Sequence, residues 1–174
     1  LTRRGAEVIL VLGPSSQQVS TRLYKLVNVK SAEEMYEASV QNYPDCQLAV
    51  MSAAVADYTP IQIAAEKIKK QDDSMQIELK RTKDILATLG AMKKNGQWLV
   101  GFALETTNEK EYALGKLESK NADMIVLNSL KDAGAGFGGD TNKISIFCKN
   151  KQEYAFTMKS KAEVAADIAN TIKQ

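Results

Sequence analysis

Hydrophobic and polar positions repeat with two different periods along this chain, and the switches between them mark its elements. Ala6 to Gly13 is a near-continuous apolar run, which predicts a strand of the buried parallel type. Before it, Leu1-Thr-Arg-Arg-Gly5 reads as the last turn of a helix, with cations at its C-terminus and Gly5 in the C′ position. Leu23 to Val29 predicts another strand. Ser31-Ala-Glu-Glu34 is a capping box, and the helix it opens ends near Pro44. Gln47 to Ala54 predicts a strand of small and apolar residues, and an irregular segment follows from Val55 to about Asp73. Met75 to Lys80 alternates as a half-exposed strand does.

Helical spacing returns from Asp84 to Lys94 through Ile85, Leu86, Leu89 and Met92. Trp98 to Leu104 predicts a buried strand, Asn108 to Asn121 a helix, and Met124 to Leu127 a strand leading into Asn128. Gly134 to Asp140 predicts a loop. Ile144 to Cys148 and Tyr154 to Met158 predict a β-hairpin, and a second capping box, Ser160-Lys-Ala-Glu163, opens a final helix.

Repeated strand–helix units predict an α/β fold over residues 1–174, one domain with a mainly parallel sheet and helices on both faces. A domain rarely opens on the tail of a helix, so at least one strand and most of one helix are expected upstream of Leu1. In such folds ligands bind beyond the carboxyl ends of the strands. That rule selects Ser52 to Lys70, Lys80 to Asp84, Phe102 to Thr107, and Asn128 to Asn142.

Composition narrows the chemistry. The 174 residues are 44% hydrophobic and 25% charged, an ordinary globular balance. No apolar run reaches the ~18 residues that span a bilayer, so no membrane partner is expected. A net charge of +2 gives no case for nucleic acid. The two cysteines, Cys46 and Cys148, match no metal spacing and read as buried thiols in a reducing cytoplasm. The chain has no histidine, which removes His-based triads, His metal sites and the commonest general base.

Four segments can carry chemistry. In Ala53-Ala-Val-Ala-Asp-Tyr58, small residues let a ligand approach the backbone. Asp57 places a carboxylate at the strand end, either for a base or ribose or as a turn cap. Glu66-Lys-Ile-Lys-Lys70 is either a solvated charged loop or a set of point charges for a triphosphate. Phe102, after Gly101, is either a stacking platform or plain core. Lys116 and Lys120, four apart, share one helix face and matter only if that face looks at phosphates. The glycines of 134–140 precede a strand rather than opening a helix, so they are not a dinucleotide fingerprint and read as a flap.

Together these pieces resemble the bacterial phosphopantothenoylcysteine synthetase family, the synthetase part of the bifunctional DNA/pantothenate metabolism flavoproteins. The resemblance runs over essentially the whole chain. It is carried by RGAEV at Arg4 to Val8, AAVADY at Ala53 to Tyr58, EKIKK at Glu66 to Lys70 and DIL at Asp84 to Leu86. VGFALET at Val100 to Thr106, the K-x-x-x-K of Lys116 and Lys120, and FGGDTN at Phe137 to Asn142 complete it.

The resemblance implies a Rossmann-like fold, a cytoplasmic homodimer, and a ligase that joins 4'-phosphopantothenate to L-cysteine in coenzyme A biosynthesis. It implies CTP with Mg2+ as substrate and an acyl-cytidylate intermediate. A flavin-dependent decarboxylase is expected as a fused or separate partner, with no flavin on this domain. It further implies a nucleotide site of Met51, Ser52, Ala53, Asp57, Lys67, Lys80, Arg81, Thr82, Lys83, Phe102, Lys116 and Lys120, with Lys67 and Asn128 in catalytic roles. The family's N-terminal strand, glycine-rich turn and asparagine-containing loop are expected upstream of Leu1. Two further departures are Lys83, where a proline is common, and Leu104, where an alanine is usual and the larger side chain is expected to narrow the pocket. The alternative is a Rossmann-like nucleotide-binding module or oxidoreductase domain without ligase activity.

Overall fold

The structure is a computed structural model that describes residues 1–19, 22–62, 66, 75–105, 107–129 and 139–172. A 3-10 turn over Thr2–Arg4 stops at Gly5, whose φ of 86° is the left-handed conformation expected of a C′ glycine. The Arg4 guanidinium donates to Asn170 Oδ1 at 2.7 Å. Ile9–Leu12 (β1) and Lys25–Asn28 (β2) pair in parallel. The apolar run predicts a buried strand, yet all four β1 residues are only half-buried. Among the described residues β1 is paired on one side alone, and its Val11 packs against the core.

Ala32–Asn42 forms α1. Ser31 Oγ accepts from Glu34 N–H, but the Glu34 carboxylate takes Lys30 N–H at 2.7 Å, so the predicted box is half-formed and shifted by one residue. Leu48–Met51 is β3. Tyr58–Pro60 (β4) and Leu79–Arg81 (β5) then pair as an antiparallel ribbon of their own. This corrects two expectations. The segment read as irregular contains a strand, too short for a period and carrying a proline, which an edge strand tolerates. All three β5 residues are exposed rather than half-exposed.

Ile85–Met92 is α2, Trp98–Glu105 β6, Glu109–Ser119 α3 and Met124–Ser129 β7. Thr141–Asn142 (β8) precedes Ile144–Cys148 (β9), which forms a hairpin with Glu153–Ala155 (β10). Lys159–Ser160 (β11) pairs with β8. The predicted second hairpin strand, Tyr154 to Met158, is therefore shorter than expected and ends at Ala155, and a separate strand starts at Lys159. Lys161–Thr171 is α4, opened by the complete capping box of Ser160 and Glu163. Of the expected loop at 134–140, residues 134–138 lie outside the described residues.

The central sheet runs β10-β9-β7-β6-β3. β3, β6 and β7 are parallel, and β9 and β10 turn antiparallel at one edge. One face packs Met35 and Ala38 of α1, Ile85, Leu86 and Leu89 of α2, and Ala113 and Leu117 of α3. The other packs Val164 and Ile168 of α4 against Val100, Val126 and Ile146. Helices on both faces of a sheet with a parallel core bear out the predicted class. Gly101 matters for the site: a Cβ there would lie 2.6 Å from Leu86 and 2.9 Å from Ile125, so its absence lets the first turn of α2 lie directly on β6.

Candidate functional site

The parallel strands β3, β6 and β7 end on one edge, and a cavity of about 430 Å3 opens there. Met51 from β3 and Phe102 from β6 form its apolar part, with Met35, Val55, Ile85 and Leu86. Phe102 also packs against the core cluster under α4, so it is part of the core as well as of the cavity wall. Ala53 leaves room beside the backbone.

The loop after β3 and the turn after β5 are clamped into one wall. Thr82 N–H donates to Asp57 O at 2.9 Å, and Thr82 Oγ1 donates to Ala56 O at 2.7 Å. This clamp presents Asp57, which is exposed and lines the cavity. Among the described residues its carboxylate caps no backbone N–H, so the turn-cap alternative is not what this geometry uses. Tyr58 hydrogen-bonds the Arg81 guanidinium on the ribbon, with the Asp57 charge nearby.

The cations come from α3. Lys116 Nζ donates to Phe102 O at 2.8 Å, which draws the ammonium to the end of β6 and into the cavity wall. One turn on, Lys120 Nζ pairs with Asp84 Oδ2 at 2.9 Å. The other carboxylate oxygen of Asp84 caps α2 by accepting Ala87 N–H at 2.8 Å. Burial pushes the Asp84 carboxyl up, but the Ala87 hydrogen bond and the Lys120 and Lys116 ammonium groups outweigh it and hold the acid below its ordinary 3.8. A shallower groove along α3, lined by Glu105, Glu111, Tyr112, Lys116 and Lys120, adjoins the cavity through Asp84 and Lys116.

Of the residues predicted from sequence, Met51, Ala53, Asp57, Arg81, Thr82, Lys83, Phe102 and Lys116 line the cavity, and Lys120 lines the adjoining groove. Ser52 and Lys80 do not line either, although each neighbours a residue that does. Lys83 lines the cavity, but its ammonium is paired with Glu33 and lies 4.6 Å from the centre of the Tyr36 ring. Asn128 accepts from Asn142 Nδ2 at 3.1 Å and so ties β7 to β8. Leu104 is not among the lining residues, so the expected narrowing does not arise from direct contact. Lys67 lies outside the described residues. Sequence reasoning missed Met35, Val55, Tyr58, Asp84, Ile85 and Leu86. The strand-end segments did contain Val55, Tyr58 and Asp84, but only the fold reveals that Asp84 faces Lys120.

Mg2+ was expected to come with the nucleotide. Among the described residues no group of three or more His, Cys, Asp or Glu side chains is placed to hold a metal. No helix there is long and apolar enough to cross a membrane.

The chain is similar to known proteins. The family described as "DNA/pantothenate metabolism flavoprotein C-terminal domain" matches residues 1–174. A relative from Bacillus subtilis, "Coenzyme A biosynthesis bifunctional protein CoaBC", is 45% identical over 168 residues, 97% of this chain and 41% of its own length. Another, from an unknown prokaryotic organism and named "Cysteine/Cysteine sulfinic acid decarboxylase", is 52% identical over 97% of this chain and 47% of itself. The chain thus spans less than half the length of these relatives. The crystal structure of the C-terminal domain of a CoaBC protein superposes with a TM-score of 0.79 at 40% identity, covering 98% of this chain and 75% of that one.

Proposed function

The chain belongs to the DNA/pantothenate metabolism flavoprotein C-terminal domain family, and on that premise we propose that it is the ligase part of a coenzyme A biosynthesis protein, joining 4'-phosphopantothenate to L-cysteine at the expense of CTP. One observation carries this reading. A cavity at the carboxyl edge of the parallel strands is lined by the exposed Asp57, whose carboxylate has no hydrogen-bond or ion-pair partner among the described residues. Lys116 and the first turn of α2, capped by Asp84, line the same cavity. That polarity suits a nucleotide whose base is read by an acceptor and whose phosphates meet positive charge. The name of the Bacillus subtilis relative, a coenzyme A biosynthesis protein, supports the substrate class.

In the proposed reaction the substrate carboxylate oxygen attacks the α-phosphorus. Its new P–O bond forms as the bond to pyrophosphate breaks. The cysteine nitrogen then attacks the acyl carbon, the C–O bond to CMP breaks, and the amine loses a proton. Lys116 and the α2 N-terminus offset the charge on the departing pyrophosphate. Mg2+ would travel on the triphosphate and neutralise part of its charge. The test is incubation of the purified full-length protein with phosphopantothenate, cysteine, CTP and Mg2+, followed by chromatography. Amide product with CMP and pyrophosphate is expected. Release of CDP and phosphate would mean acyl-phosphate activation and would overturn the cytidylate route.

Asp57→Asn is expected to weaken CTP binding by about 1.5–3 kcal/mol, the scale of one charge-assisted hydrogen bond. It should also blur base choice, because an amide offers a donor as well as an acceptor. Calorimetry with CTP and ATP checks this, and unchanged CTP affinity would remove Asp57 from the site.

The second part of the proposal is a homodimer. On one face of the β4–β5 ribbon Tyr58 and Leu79 are 51% and 53% exposed, and just before β5 Ile77 and Met75 are 58% and 59% exposed. An apolar ribbon face of this kind calls for cover, and a second copy supplies an equal face about a two-fold axis. Light scattering at micromolar concentration is expected to give twice the chain mass, and Leu79→Lys to give the monomer.

A further inference from the structure

We propose that Asp84 is the resident counter-ion of Lys120, a positioning residue that an incoming phosphate must displace and that speeds the release of pyrophosphate. The inference deepens the proposed function and rests on its reading of the cavity as a phosphate site. Asp84 stands on both the main cavity and the α3 groove, the only residue besides Lys116 to do so among the described lining residues. Its two carboxylate oxygens do different work. Oδ1 accepts Ala87 N–H at 2.8 Å and starts α2, and Oδ2 accepts from Lys120 Nζ at 2.9 Å.

The cap alone does not explain the carboxylate. Serine or asparagine caps a helix as well as aspartate does. A negative charge on the wall of an anion site repels the ligand, so its presence needs another reason. Lys120 gives that reason. In the empty site the ammonium and the positive end of α2 are neutralised by one acid, and Lys120 is held at the cavity rim rather than in solvent. The pair is water-exposed, with 28% of the Lys120 and 50% of the Asp84 side chain accessible, so it contributes little to stability and exchanges readily.

A ligand of high charge density can therefore take Lys120 from Asp84, while Oδ1 goes on capping the helix. When the pyrophosphate loses its link to the nucleotide, Asp84 competes for Lys120 again. The carboxylate thus acts as an internal stand-in for the anion, and it lowers the affinity for a free product.

The experiment uses inorganic pyrophosphate and calorimetry on the purified chain, with Asp84→Asn, Lys120→Gln and the double variant. Asparagine keeps an oxygen for Ala87 N–H and removes the charge. Asp84→Asn is expected to bind pyrophosphate roughly tenfold more tightly, the effect of removing one charge at contact range in a half-exposed site. The gain should vanish in the Lys120→Gln background, because it arises from exchange at that ammonium. Steady-state turnover should show stronger pyrophosphate inhibition in Asp84→Asn with an unchanged melting temperature. Unchanged or weaker pyrophosphate binding in Asp84→Asn overturns the inference. So does a gain that persists without Lys120, which would be a diffuse field rather than exchange. Parallel titration with CTP separates the two claims. Failure of the wild type to bind CTP, with the pyrophosphate cycle intact, removes the nucleotide reading and leaves the ion-pair exchange standing.

Discussion

Asp123→Ala is expected to remove about 3–5 kcal/mol of folding stability, on the order of half of what a domain of this size has. The Lys93 ammonium donates to both Asp123 oxygens, at 2.8 and 2.9 Å, and to Asn121 O at 2.7 Å. Asp123 Oδ2 also accepts Leu99 N–H at 2.8 Å. The two side chains are 9% and 18% exposed, which separates this pair from the chain's surface pairs. Removing the acid leaves a nearly buried ammonium with one carbonyl partner and strips a core strand of a hydrogen bond. The pair lies at the starting ends of β6 and β7, opposite the edge that carries the cavity. Urea denaturation should therefore show the loss while activity per folded molecule stays close to wild type. Lys93→Met together with Asp123→Ala should cost less than the sum of the single changes, since no charge is then stranded. A loss below 1 kcal/mol for Asp123→Ala would mean that water reaches Lys93 and the pair behaves as a surface one.

That pair also marks the limit of what the sequence reveals. Lys93 and Asp123 are thirty residues apart, and no local period connects them. The same holds for Asp84 and Lys120, and for Thr82 with the Ala56–Asp57 backbone. Elements were legible wherever a long period or a cap fixed them: β6 from its apolar run, α2 from Ile85, Leu86 and Leu89, α4 from Ser160 and Glu163. β4 was not, because three residues ending in proline carry no period. The site was legible at the strand ends, where topology alone places Met51, Asp57 and Phe102. It was not legible where a side chain has several possible partners. Lys83 lines the cavity, yet its ammonium is drawn to Glu33 and Tyr36 on α1.

The largest expected effect on catalysis is at Lys67. It lies outside the described residues, and its assignment rests on the resemblance of Glu66-Lys-Ile-Lys-Lys70 to the family's phosphate-facing segment. In the first proposed step a carboxylate must approach an already anionic triphosphate. A fixed ammonium reduces that repulsion and stabilises the five-coordinate phosphorus as charge builds on it. In the second step the same charge stabilises the oxyanion formed when the amine attacks the acyl-cytidylate. Lys67→Gln keeps a donor of similar reach but loses the charge, so kcat is expected to fall by roughly 10²–10³, as for loss of one preorganised donor. Lys70→Gln removes a charge from the same segment and is expected to change kcat only slightly, because the resemblance gives the phosphate-facing role to Lys67 alone and charges not in contact are screened. Measured in parallel, with circular dichroism to check folding, the two variants separate the possibilities. Equal losses would mean that the segment acts as a diffuse positive field. Turnover near wild type in Lys67→Gln would take Lys67 out of the mechanism and leave Lys116, Lys120 and the α2 N-terminus to carry the phosphate charge.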